Sequence, residues 1–424
     1  MRSLFSLLIL TASLSTAFAQ KYTLVEATAP ASVGVDPARL TRLDRVLTDY
    51  VDRGKQAGII ALLVRNGQVV YHKAIGQNGN PAKTPLRRDA IMRIASQTKA
   101  ITSVAVMMLF EEGRFLLDEP ISTYIPAFKN PVVLDTYSEK DTTYTTKPAK
   151  SEITIRQLLT HTSGLSYAGI GSKEGVAIYA KAGIPSGIGT PMNSLSVTIP
   201  ALARLPLMHN PGEKWTYSLS TDVLGYLVEV VSGQPLDQFF RTRIFAPLGM
   251  NDTFFYLPTD KANRLATLYT EVPDTKAVVP MPAQGGISAD YPLRPGTYYS
   301  GGAGLSSTAL DYAIFLQMLL NGGEYGGTRL LAPATVRLMT QNQVGALGVG
   351  DNKFGLGFGI TTEKSAAKLP VSVGTFDWGG FFGTNYWADP QTGVIGILMT
   401  QKVPNSAGDL NDKFRVLVYQ ALTR

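Results

Sequence analysis

The chain has 424 residues, 45% of them hydrophobic and 17% charged, with 39 basic against 32 acidic side chains and no cysteine. That composition describes a well-packed globular protein and excludes disulfides, cysteine metal ligands, a thiol nucleophile and a lipid-modified cysteine anchor. The formal charge of +7 is dispersed, with no basic run longer than Leu86-Arg87-Arg88, so nucleic acid is not an expected partner.

In chain order, Arg2 is followed by the apolar run Leu4 to Leu10, and Ala17-Phe18-Ala19 supplies small residues at a cleavage point. This predicts a secretory signal peptide cut after Ala19 and an exported product, periplasmic or secreted. The run is shorter than the ~18 to 20 apolar residues that span a bilayer, and no later segment is long enough, so no stable membrane anchor is expected. Removing residues 1–19 leaves 424 − 19 = 405, enough for two lobes that share a core. Asp36-Pro37 opens an amphipathic helix running to Gly54, with Leu40, Leu43, Val46, Leu47 and Tyr50 at helical spacing. A hairpin follows, Gly58 to Val64 and Val69 to Ile75, turned at Asn66-Gly67. A short strand, Ala90 to Ile94, runs into Ser96 and a long apolar helix.

Beyond that helix the sequence alternates helical pieces, 153–159, 222–231 and 236–244, with long Gly-, Pro- and Ser-rich stretches at 131–152, 168–198 and 272–300. Connections of that length in a compact protein are usually lids or binding loops. Strand signals return at 358–362, 371–377, 384–388 and 394–401, and an amphipathic helix from Asp409 to Leu422 closes the chain. The expected fold is α/β (α+β): an antiparallel sheet built from the N- and C-terminal segments, flanked by helices, with a mostly helical lobe inserted. The boundaries are 20–99 and 311–424 for the sheet lobe and 100–310 for the insertion. The substrate cleft belongs between the two.

Only His72, His161 and His209 are available for a histidine-based triad, and there is no Gly-x-Ser-x-Gly elbow. His161 reads as a residue near a helix C-terminus, stopped by Gly164. No His-Glu-x-x-His or similar spacing suggests a metal, and no cofactor is expected. What remains is Ser-x-x-Lys, whose spacing places both side chains on one helix face. It occurs as Ser96-Gln97-Thr98-Lys99 and as Ser365-Ala366-Ala367-Lys368. The second copy lies in a Lys-flanked segment that reads as an exposed loop. The first follows a strand and opens a helix, where free N–H groups favour an anion at Ser96, although serine is also a common N-cap.

Ser96-Gln97-Thr98-Lys99, Leu158 to Leu165 (LLTHTSGL), Pro211-Gly212-Glu213 leading into Tyr217-Ser218-Leu219-Ser220, and Trp378-Gly379-Gly380 together resemble the serine β-lactamase-like superfamily, in its order and over nearly the whole mature chain. The resemblance implies a β-lactamase/transpeptidase-like fold with Ser96 as nucleophile and Lys99 and Tyr217 as proton-transfer groups, the choice of base between them left open. It further implies an oxyanion hole from the backbone N–H groups of Ser96 and Phe381. Two departures resemble the family VIII carboxylesterases: Leu219 stands where the Tyr-x-Asn motif has asparagine, and Trp378-Gly379-Gly380 replaces Lys-Thr-Gly. An apolar ester should therefore suit a site bounded by Leu219, Trp378, Gly379 and Gly380 better than a β-lactam. Lys353-Phe354-Gly355 is a weaker candidate for the missing Lys-x-Gly. The expected partner is a small-molecule ester or amide. A class C-like β-lactamase, a D-amino-acid peptidase and an acyltransferase are the alternatives, and no oligomeric state follows from the sequence.

Overall fold

The computed structural model describes residues 23–79, 84–190, 192–282 and 288–423. The signal-peptide segment, 1–19, lies outside the described residues.

Helix α1 (Pro37–Asp52) starts where Asp36 caps it, its carboxylate accepting from the Ala38 and Arg39 amides. Strand β1 (Val25–Glu26) pairs in parallel with β3 (Gln68–Asn78), which forms the expected hairpin with β2 (Gly58–Arg65). At the turn Asn66 and Gly67 both have positive φ, 49° and 74°, as a tight two-residue connection requires. The C-terminal strand Val394–Met399 pairs antiparallel with β2, from Val394 against Arg65 to Met399 against Ile60. Strands Thr384–Asp389, Phe376–Gly380, Gly359–Ile360 and Lys353–Phe354 extend the sheet outward. The two ends of the chain thus build one sheet, antiparallel except at β1.

Strand β2 is a nearly unbroken apolar run because both of its faces are covered. Ile59, Ala61 and Leu63 pack with Leu43 and Leu47 of α1 and with Phe414 and Val418 of the closing helix Asp409–Tyr419. Ile60, Leu62 and Val64 face the larger core, shared with helix α2 (Thr98–Glu111) and the helices Ser220–Ser232 and Ala309–Leu320. Helix α2 is buried without interruption from Thr98 to Leu109, so its apolar character all round marks a central helix.

Several elements differ from the expectation. The stretch 131–152 holds a hairpin, Val132–Tyr137 with Tyr144–Pro148, whose Thr- and Tyr-rich strands suit an exposed ribbon. The stretch 168–198 contains the helix Lys173–Lys181 and the first turn of Leu195–Ala203. The strand expected at 371–377 lies instead at Phe376–Gly380, and an unexpected apolar helix spans Ala309–Leu320. Among the described residues no helix is long and apolar enough to cross a membrane.

The 272–300 stretch is anchored at its start by a buried ion pair. Lys402 Nζ lies 2.5 Å from Glu271 Oε1, and the same oxygen accepts from the Ser406 amide at 2.9 Å and its hydroxyl at 2.7 Å. Burial alone would raise the Glu271 pKa, but the hydrogen bonds from Lys402 and Ser406 bring it down to about 2. The stabilisation is therefore complete above the unfolded value of roughly 4.3 and is lost as pH falls toward 2. Glu271→Gln strands the Lys402 charge and should destabilise the protein by about 3 to 5 kcal/mol in urea unfolding at pH 7, the gap narrowing below about pH 4.

Candidate active site

Ser96 follows Ile94 of the larger core and Ala95 of a small cluster with Leu268, Tyr291 and Phe382. The strand Met92–Arg93 pairs with Ser306–Ser307, and the chain then enters a 3-10 turn, Ala95–Gln97, before α2 begins at Thr98. The expectation placed Ser96 at the opening of an α-helix. The turn runs straight into α2, so Ser96 in the turn and Lys99 in the first turn of the helix stay three residues apart on one side, with Nζ 3.4 Å from Oγ. Ala95 has φ 43°, a left-handed conformation that costs a residue with a side chain about 1 to 2 kcal/mol. The helix opening is tied down from outside: Tyr312 donates to the Gln97 carbonyl at 2.9 Å, Thr102 to Gly301 at 2.6 Å, and the Leu305 amide to Thr98 Oγ1 at 3.1 Å.

Lys99 is 2% exposed. Its Nζ donates to the Gly302 carbonyl at 2.7 Å and stands 3.4 Å from Ser96 Oγ and 3.5 Å from the Tyr167 hydroxyl. It also lies 4.5 Å from the centre of the Tyr217 ring. Tyr217 arrives on the extended segment before helix Ser220–Ser232. Its ring stacks on Tyr167 at 5.6 Å and packs against His161 and Trp378, while Trp378 Nε1 is 3.5 Å from its oxygen. Trp378 and Gly379 lie on the strand Phe376–Gly380, and a Cβ at Gly380 would collide with the Ile94 carbonyl oxygen, so this strand end fits closely against the Ser96 turn. Phe381 follows, its side chain exposed. Ser96, Lys99, Tyr217, Trp378 and the glycine pair thus converge.

Leu219 does not join them. It is 1% exposed, packs in the main core and presents no surface to a substrate, and its amide is taken by the Ser166 carbonyl. Its position just ahead of the helix Ser220–Ser232 turns the side chain inward. Ser365 and Lys368 are elsewhere, the serine bonded to Thr362 and Asn352 and the lysine to Asp351. Lys353 spends its amine on the Ala346 and Leu347 carbonyls at 2.9 and 2.8 Å. Its neighbour Phe354 instead walls the aromatic cluster, 5.2 Å from Trp378.

Three members of the site have no signature in the sequence. Tyr167 is buried, which raises its pKa well above 10. Asp222, fully buried on the first turn of Ser220–Ser232, has its pKa raised by burial, an effect opposed by the Ser300 hydroxyl and by Lys99. Gly302 packs so tightly that a Cβ would lie 2.6 Å from Asp222 Oδ2 and 3.4 Å from both Lys99 Nζ and the Tyr167 oxygen. The loop at 168–198 reaches the same spot, since a Cβ on Gly187 would lie 2.6 Å from Ser300 Oγ. The one available hint is an acidic residue opening an otherwise apolar helix, which also reads as ordinary dipole pairing.

His161 is 1% exposed, with Nδ1 3.1 Å from Ser218 Oγ and the ring among Tyr217, Trp215 and Phe354. Burial, and then the nearby Lys99 charge, hold its pKa well below 6.5. The arrangement offers a hydroxyl beside a buried amine and a phenol, a set able to exchange a proton during nucleophilic attack.

The family model described as Beta-lactamase matches residues 43–420, and the chain belongs to that family. It is 32% identical over 410 residues to esterase EstB of Burkholderia gladioli, covering 92% of this chain and 98% of that protein. It is 33% identical over 377 residues to protein Rv1367c of Mycobacterium tuberculosis, covering 86% of this chain and 90% of that protein. Among solved structures, that of EstCE1, a hydrolase with promiscuous acyltransferase activity, superimposes with a TM-score of 0.77 at 29% identity, covering 90% of this chain and 99% of that one.

Because His161 is neutral across the working range, His161→Gln should leave the acid limb of the pH–rate profile unmoved. A limb near pH 6.5 that vanishes in the variant would make this histidine the base.

Proposed function

We propose that this protein is an exported serine hydrolase that cleaves carboxylic esters of small or apolar substrates. The observation that carries the reading is the approach of Lys99 Nζ to 3.4 Å from Ser96 Oγ, with Tyr217 beside the amine and Trp378 against Tyr217. Esterases among the relatives support it, including EstB and the lovastatin esterase of Penicillium rubens, 29% identical over 395 residues.

Ser96 Oγ forms a bond to the ester carbonyl carbon as its proton passes to the Lys99 and Tyr217 pair. The carbonyl electrons move to oxygen, where the backbone N–H groups of Ser96 and Phe381 receive the charge. On collapse the C–O bond to the alcohol breaks, the same pair returns the proton to the alkoxide, and the acyl group stays on Ser96. Water repeats the sequence and frees the acid. Trp378, standing where the resemblance has the lysine of Lys-Thr-Gly, offers an aromatic wall to an apolar group in place of a cation for a carboxylate. That favours neutral esters over β-lactams and peptides ending in a free carboxylate.

A competing acceptor is the second reading, favoured by the promiscuous acyltransferase activity of EstCE1 and by the likeness to acyltransferase calJ of Penicillium decumbens, 28% identical over 370 residues. In it an alcohol replaces water in the second half of the reaction. Export rests on residues 1–19, with processing expected after Ala19. N-terminal sequencing of protein recovered from the periplasm or medium should therefore begin at Gln20, and an intact Met1 would refute it.

The chemistry is tested with wild type and Ser96→Ala on p-nitrophenyl esters of increasing acyl length, on nitrocefin, and on esters with added alcohol. Ester turnover should exceed that of nitrocefin, and Ser96→Ala should lose about 10⁴-fold or more in kcat. Faster nitrocefin hydrolysis would make the protein a β-lactamase. A transfer product that outpaces the free acid would make it an acyltransferase.

A further inference from the structure

Three residues before Ser96, Arg93 is buried to 2% exposure with no carboxylate on its guanidinium among the described residues. Its nitrogens go to neutral acceptors: Nη1 to the Ala266 carbonyl at 2.7 Å and to Gln401 Oε1 at 3.1 Å, Nη2 to the Ala289 carbonyl, and Nε to nothing. The Gln401 amide also takes the place of a strand neighbour for the Arg93 backbone, accepting from its N–H at 3.0 Å and donating to its carbonyl at 3.1 Å. Asp290, an acid close enough to act on the guanidinium, is exposed and engaged by Arg294 and Ser288. Burial pushes the Arg93 pKa down to about 10, which still leaves it charged at neutral pH.

The guanidinium lies 5.8 Å from the centre of the Tyr291 ring, and Tyr291 is buried in a small cluster with Ala95, Leu268 and Phe382. Ala95 and Phe382 are the immediate neighbours of Ser96 and Phe381. A packed layer therefore connects the charge to the two backbone N–H groups assigned to the oxyanion. The same layer holds Ala95 in its left-handed conformation. A neutral amide could gather the Ala266 and Ala289 carbonyls equally well. What an arginine adds is a positive charge, bonded to no carboxylate among the described residues, behind the place where negative charge grows.

We propose that Arg93 is a positioning residue for the oxyanion hole: braced by Gln401, it fixes the Ser96 and Phe381 donors through Tyr291 and adds a positive field that acts in the transition state. This rests on the reading of Ser96 as the nucleophile. The contribution falls on kcat and leaves substrate binding alone.

The experiment uses the full chain with Arg93→Met, Arg93→Lys and Gln401→Glu, the last putting a carboxylate against the guanidinium with little change of shape. Active sites are counted by fluorophosphonate labelling, kcat and KM for p-nitrophenyl butyrate are expressed per labelled site, and Tm is recorded. Arg93→Met should lose about 10²-fold in kcat with KM changed by less than about 3-fold, Arg93→Lys should recover part of the loss, and Gln401→Glu should lose about 10-fold. If Arg93→Met does not fold, Gln401→Glu against wild type decides. Unchanged kcat per site with a lowered Tm would reduce Arg93 to a structural brace and overturn the proposal while leaving the esterase reading intact. Wild type that neither labels at Ser96 nor cleaves the ester would overturn both.

Discussion

A lysine amine withdrawn from water beside a serine hydroxyl is the constraint around which the centre of this protein is arranged. Such a group is stable there only if its protons find acceptors and its charge finds compensation. The Gly302 carbonyl supplies the first, while the Tyr217 ring face and the Asp222 carboxyl provide for the second. Gly302 arrives on the segment ahead of helix Ala309–Leu320, and Tyr217 and Asp222 come from the start of helix Ser220–Ser232, the helix against which α2 itself packs. Holding the amine in place therefore depends on the packing of α2 against that helix. Thr102, Tyr312 and the Leu305 amide address it by fixing the first turn of α2 from the neighbouring chain segments.

The sheet contributes rigidity of another kind. With β2 buried on both faces, a slip in register would exchange two apolar sets between two cores of different shape, so the pairing of β2 with Val394–Met399 is tightly specified. That pairing sets the position of the outer strands and so of Trp378 and Phe381. The strand Met92–Arg93, which carries the chain into Ser96, is held by the Gln401 side chain just beyond the end of Val394–Met399. The geometry at the serine is thus referred to the most firmly registered part of the scaffold.

Much of this is legible in the sequence, for identifiable reasons. Asn66-Gly67 can hardly be other than a hairpin turn, and the spacing of Leu40, Leu43 and Leu47 reads directly as a buried helix face. Ser96 and Lys99 are detectable because their relation is local, three residues along one turn. Tyr167, Asp222 and Gly302 are not, because what brings them to Lys99 is tertiary approach between segments 68 to 203 residues away in the chain. The hairpin Val132–Tyr137 with Tyr144–Pro148 is hidden because its charged and hydroxyl residues resemble a loop, although its Val, Thr and Tyr residues suit a strand. Leu219 misleads for a different reason: motif spacing says which residue occupies a position, but not which way the helix behind it turns the side chain.

Gly302 leaves no space for even a methyl group between Asp222 and the amine, and Gly187 leaves none beside Ser300. Changes of substrate among proteins with this architecture therefore have little freedom at the innermost positions, where any enlargement presses on Asp222, Ser300 and Lys99. Diversification is channelled outward, to the exposed Phe381 and the long loops around it, so that one unaltered catalytic nucleus can serve many acyl groups through its periphery alone.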